Sequence, residues 1–150
     1  MLEGLGKFIR GKPVRRGLFL AGFWQLGRAR WDLRRRPLRE VLAGFGQSAN
    51  DAGLEPTPEE IEISTEIGHA VRAAAARTPW DSSCLVQVLA AQRMLRGRGI
   101  GGTVFIGADT ADEQGAPGFS AHAWLMCGER FVTGEGGYER YTVVGEFSWG

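Results

Sequence analysis

Cysteine and histidine are both scarce in this chain: 150 residues hold only Cys84, Cys127, His69 and His122. Two cysteines do not make a disulfide framework, and no metal-ligand spacing accompanies them. A secretory signal is also lacking. The longest apolar stretch near the start, Leu18 to Trp24, falls far short of the roughly 20 residues that span a bilayer. The 23 glycines punctuate loops without a period, which excludes collagen, solenoids and low-complexity architectures. These absences lead to the expectation of a cytoplasmic protein without metal or cofactor, in a compartment where a free thiol stays reduced.

What is present suits a single domain over 1–150. A hydrophobic content of 43% and a charged content of 23% are ordinary for a globular chain of this length. The net charge of +1 conceals an asymmetry, because residues 1–40 carry eleven of the eighteen Lys/Arg and only three of the seventeen Asp/Glu. A front so basic is expected to meet something acidic: a partner protein, a peptide, or the acidic remainder of the same chain. The acidic remainder and the lack of a base-stacking module argue against nucleic acid.

Punctuation divides the chain into a basic helical region over 1–50 and a core over 57–150. Residues 14–35 mix apolar positions with arginines, as in an amphipathic helix, and Pro37 separates them from a short helix over 38–45. Thr57-Pro58-Glu59-Glu60 is a capping box, followed by Ile63, Ile67, Val71 and Ala74 on one helical face. Asp81 or Ser82 can cap a third long helix over 83–95, apolar enough to lie at the centre. Strands are expected over 103–106, 119–127, 130–132 and 141–144, with a polar loop over 109–118. Helices first and an antiparallel meander afterwards make an α+β chain.

Cys84 falls in the first turn of its helix. Unpaired backbone N–H groups and the positive end of the helix dipole there favour a thiolate, and the same groups can donate to an oxyanion. A thiolate still needs a base, and His122 lies mid-strand downstream, sharing a strand face with Trp124 and Met126. Cys127 falls on the other face and reads as structural, and His69 reads as a packed or solvated helix residue. For one Cys and one His in such a chain, the ordinary reading is a buried thiol and a surface imidazole. Composition and periodicity go no further than that.

The words around these residues add more. Trp80-Asp81-Ser82-Ser83-Cys84-Leu85, a strand finishing Phe105-Ile106-Gly107, and Ala121-His122-Ala123-Trp124 follow one another in that order. The pattern, from about Pro79 to Trp149, resembles the leader peptidases of lasso-peptide biosynthesis, which are transglutaminase-like (papain-related) cysteine proteases. The resemblance implies a papain-like core, with an antiparallel sheet packed on the Cys-bearing helix. It implies Cys84 as nucleophile, His122 as general base and an acidic third member. That family carries Asp shortly after the histidine, whereas this sequence has no Asp after Asp112, so Glu135 in Val132-Thr133-Gly134-Glu135 takes the role. Glu129 and Glu139 read as loop charges. Trp80 can lend its indole N–H to an oxyanion or wall the pocket, and Ser83 lies beside it as a capping or pocket residue.

The implied substrate is a leader–core precursor peptide. The implied partners are a separate leader-recognition protein, since no leader-binding module is expected within 150 residues, and the lasso cyclase. Two other readings stay open at this point: an acyl transferase that forms amides with the same residues, and a non-catalytic adaptor that uses the basic helix.

Overall fold

The computed structural model describes residues 13–43, 55–79, 83–111 and 117–149. In chain order the elements are α1 (Pro13–Arg35), α2 (Leu38–Ala43), α3 (Pro58–Ala75), α4 (Cys84–Gly97), β1 (Gly102–Ala111), β2 (Pro117–Cys127), β3 (Arg130–Thr133), a 3-10 turn (Tyr138–Arg140) and β4 (Thr142–Trp149). The chain is α+β, with the helices layered on one face of a four-stranded antiparallel sheet. Among the described residues no helix is long and apolar enough to cross a membrane.

Local chemistry accounts for the helix boundaries. The Thr57 hydroxyl accepts from the Glu60 amide at 3.2 Å, with Pro58 at the first helical position, so the capping box opens α3. The Glu60 side chain returns to the Thr57 hydroxyl at 3.2 Å rather than to its backbone. On α3 the residues Ile67, Val71 and Ala74 are buried, and on α4 so are Val88, Leu89, Met94 and Leu95. Ser83 occupies the N-cap position of α4 without a side-chain capping hydrogen bond, while Asp81 and Ser82 lie outside the described residues. The helices meet Val104, Ala123, Leu125, Cys127 and Val132 on the inner sheet face, and this is the core. Period-two alternation explains why these strand positions face inward together.

Two expectations need correction. The strands do not run as a simple meander: their order is β3-β2-β1-β4, so the chain crosses from β3 to the far edge of β1 before β4 forms. The indole N–H of Trp149 donates to the Ile100 carbonyl at 2.9 Å and pins the end of that strand beside the start of β1. Strand β1 also continues to Ala111, through Asp109, where a polar loop was expected. Asp109 and Ala108 pair with Ser120 and Ala121, so backbone pairing with β2 overrides their low strand propensity.

Gly68 shows how closely α3 approaches the sheet. A Cβ there would collide with the Val132 carbonyl oxygen, which also accepts from the Arg72 guanidinium at 2.6 Å. Alanine gains about 1 kcal/mol of helix propensity over glycine, but forcing a methyl against backbone costs about 1–3 kcal/mol or more. The clash wins because a strand carbonyl, unlike a flexible side chain, cannot turn aside. Gly68→Ala is expected to lower the urea midpoint; an unchanged or raised midpoint would mean that this contact is looser than described.

Candidate active site

Cys84 opens α4, as its position after Ser83 requires. Ser83 has the extended backbone of an N-cap (φ −63°, ψ 171°), but its hydroxyl makes no capping hydrogen bond. The cap side chain therefore leaves the first-turn N–H groups to other acceptors. The thiol is half-buried against the core, and Cys127 is fully buried. Burial pushes the Cys127 thiol above its ordinary value; a hydrogen bond with Ser64 opposes this, and the Glu60 charge adds to it. Cys127 is thus held as a neutral core residue facing α3, on the strand face opposite His122.

His122 is fixed on three sides. Its Nε2 lies 2.7 Å from the Gly134 carbonyl oxygen. A carbonyl can only accept, so Nε2 carries the proton and the lone pair of the neutral ring sits on Nδ1. The ring stacks against Trp124 (centroids 5.7 Å apart) and against Tyr141 (5.2 Å). Trp124 is in turn backed by Phe105 at 5.6 Å and Tyr138 at 5.7 Å. This aromatic face is the outer side of the sheet.

Two glycines make that arrangement possible. Gly107 is the β1 partner of His122, and a Cβ on it would come within 2.5 Å of the Tyr141 Cβ and 2.9 Å of the Trp124 ring. With no side chain at 107, Tyr141 closes over the imidazole. The Ile106-Gly107 step thereby acquires a physical reason. The register of β4 against β1 slips at this same step. Gly134 has φ +82°, a region that favours glycine, and its Cβ position lies 2.5 Å from the Ala123 carbonyl oxygen. Only a residue without a side chain sits there and turns its carbonyl toward His122.

Helix α4 packs on the inner face of β2, whereas His122 stands on the outer, aromatic face. The two elements are neighbours, but the structure does not bring the Cys84 thiol and the imidazole together. Among the described residues no hydrogen bond joins the thiol to the ring. Glu135 is exposed, immediately after the carbonyl that holds the histidine, and its own backbone carbonyl accepts from the Tyr138 amide at 3.4 Å. Glu129, Glu139 and His69 are exposed as well. Trp80 lies outside the described residues. No cluster of three or more His, Cys, Asp or Glu able to hold a metal occurs among the described residues.

Sequence reasoning missed the Gly134 carbonyl, Gly107 as the space for Tyr141, and Tyr141 and Tyr138 themselves. A backbone acceptor has no side-chain signature. The glycine after Thr133, ending a strand beside the expected acid, is the one hint the sequence contains.

No curated protein and no solved structure gives a significant match to this chain. The sequence does match the transglutaminase-like superfamily, over residues 23–146. That superfamily includes cysteine peptidases and acyltransferases. The match covers the helix that opens at Cys84, the His122 strand and the Gly134 turn together, and the chain belongs to the transglutaminase-like superfamily.

Proposed function

We propose that the chain is a cysteine peptidase that removes the leader from a ribosomally made lasso precursor peptide, with Cys84 as nucleophile and His122 as base. The observation that carries the reading is the Nε2–Gly134 hydrogen bond, which leaves Nδ1 of a clamped imidazole as the proton acceptor. Membership of a superfamily that includes cysteine peptidases supports it. The Cys-Leu helix start and the Ala-His-Ala-Trp strand carry the resemblance to leader peptidases.

In the reaction, which requires substrate or partner binding to bring thiol and ring together, the Cys84 sulfur attacks the carbonyl carbon of the leader–core bond as its proton passes to His122 Nδ1. The carbonyl oxygen, now an anion, is held by N–H groups at the start of α4. His122 returns the proton to the departing core amine, and the C–N bond breaks to leave a leader thioester. Water then attacks the thioester while His122 takes one of its protons. The C–S bond breaks, a leader carboxylate leaves, and the thiol is restored. A separate leader-recognition protein delivers the precursor, and the lasso cyclase receives the core. The acyl transferase alternative differs at both steps: Cys84 is acylated from a glutamine carboxamide with release of ammonia, and an amine in place of water takes the acyl group.

Mass spectrometry of the products of a leader–core peptide, with and without the leader-recognition protein, tests the assignment. Hydrolysis adds one water across the two fragments. A product joined to an amine with loss of ammonia would replace the peptidase reading by the transferase one. Glu135→Ala is expected to lower kcat/KM by about tenfold, far less than the roughly 10⁴-fold loss seen where an acid alone holds the histidine. Glu135 lies beside the site as an exposed charge, and solvent screens its effect on the imidazolium. Unchanged activity in that variant would assign the orienting role to the Gly134 carbonyl alone.

A further inference from the structure

Helix α1 has two apolar faces, and among the described residues only one is packed into the core. Leu18, Leu26 and Ala29 are buried, and Gly22 lies against the α3 backbone with the Ala70 carbonyl oxygen 3.5 Å from its Cβ position. The other stripe runs through Leu20, Trp24, Gly27, Arg28, Trp31 and Arg35, at helical spacings of three and four. Leu20 and Trp24 are each 67% exposed and Trp31 is 59% exposed. Single exposed apolar residues are ordinary, but two indoles and a leucine in register on one face mark an interaction surface.

The stripe is shaped as well as apolar. Phe23, Trp24, Gly27, Arg28, Trp31 and Asp32 line an open notch of about 360 Å³. Gly27 creates it, because residue 27 falls between Trp24 and Trp31 on the same face and brings no side chain. The Arg35 guanidinium lies 5.0 Å over the Trp31 ring and holds that wall in place. Asp32 is the helix's one acidic residue in the sequence, and Arg93 of α4 pairs with it at 2.5 Å. Arg28, Arg34, Arg35 and Arg36 are exposed along or beside the stripe. Tryptophan and arginine together are the side chains that dominate interface energetics.

We propose that this face of α1 docks an acidic polypeptide segment, which sets one bulky apolar side chain into the notch between Trp24 and Trp31 and its carboxylates against Arg28 and Arg35. Charge complementarity selects the occupant. A second copy would bring arginines against arginines across a two-fold axis. Residues 1–12 of the same chain, with Lys7, Arg10 and Lys12 against Glu3, are also basic. An anionic bilayer would match the charge but has no use for a notch floored by glycine, whereas an inserted side chain fills it. Neither Cys84 nor His122 lines the notch, so the proposal stands or falls independently of the peptidase chemistry.

The test is fluorescence anisotropy with the full chain and a labelled helical peptide that presents leucines at spacings of three and four, flanked by glutamates. Its twin, with lysine for every glutamate, is the control. Wild type is expected to bind the acidic peptide and not the basic one, more weakly as salt rises. Trp24→Ala/Trp31→Ala is expected to weaken binding at least about tenfold with an unchanged melting curve, because both indoles lie in solvent. Arg28→Glu/Arg35→Glu is expected to exchange preference toward the lysine peptide. Failure to bind the acidic peptide, or equal affinity in all variants, overturns the proposal. So does binding to phosphatidylserine vesicles in place of the peptide, and so does a sedimentation shift showing that the tryptophans hold two copies together.

Discussion

Replacing Cys84 with alanine is expected to abolish cleavage of a leader–core peptide while leaving the fold intact. Loss of the nucleophile in an acyl-enzyme mechanism removes the whole covalent route, and such losses are on the order of 10⁶-fold in kcat. Stability should barely change. Cys84 is half-buried at the first turn of α4, and alanine is the best helix former. The lost sulfur contacts amount to about 1 kcal/mol or less. Cleavage kinetics and a thermal melt of the same preparation read both quantities. Residual cleavage near wild-type rate would end the assignment of Cys84, and a collapsed melt would mean that its role is packing.

Gly134→Ala is the second large effect, and it acts on stability and activity together. At φ +82° a side chain brings backbone strain of about 1–3 kcal/mol. Its Cβ would also lie 2.5 Å from the Ala123 carbonyl oxygen and 2.8 Å from the Trp124 Cα, atoms of a central strand that cannot yield cheaply. The total loss should reach at least about 3 kcal/mol. Any folded fraction would have displaced the carbonyl that holds His122 Nε2, so cleavage per folded molecule should fall as well. Denaturant titration and active-site-normalised rates separate the two effects. A variant that is destabilised but fully active per folded molecule would show that the Gly134 carbonyl does not orient the base.

The difference between what the sequence revealed and what it hid follows from the range of the physics. The start of α3 was legible because Thr57, Pro58 and Glu60 act within one turn. The two faces of β2 were legible because alternation is a local property of one strand, and Cys127 fell inside and Trp124 beside His122 accordingly. The place of β4 was not legible. Its residues pair with β1, about forty positions away, and nothing in an apolar run names its partner. The candidate site divides the same way: Cys84 and His122 can be singled out in the sequence as reactive side chains, but the acceptor on His122 is a peptide carbonyl. The Ile106-Gly107 step was visible as a motif, and only the packing of Tyr141 gives its reason.

The central claim is that His122 activates Cys84, and alkylation tests it most directly. Iodoacetamide at pH 7 would be reacted with wild type and with His122→Ala, and peptide mapping would read Cys84 separately from the buried Cys127. The thiolate is the reacting species. If His122 takes the proton, the Cys84 rate in wild type should exceed that in the variant by about tenfold or more, with Cys127 nearly inert in both. Equal Cys84 rates in the two proteins would contradict the account, because the imidazole would then have no part in making the nucleophile.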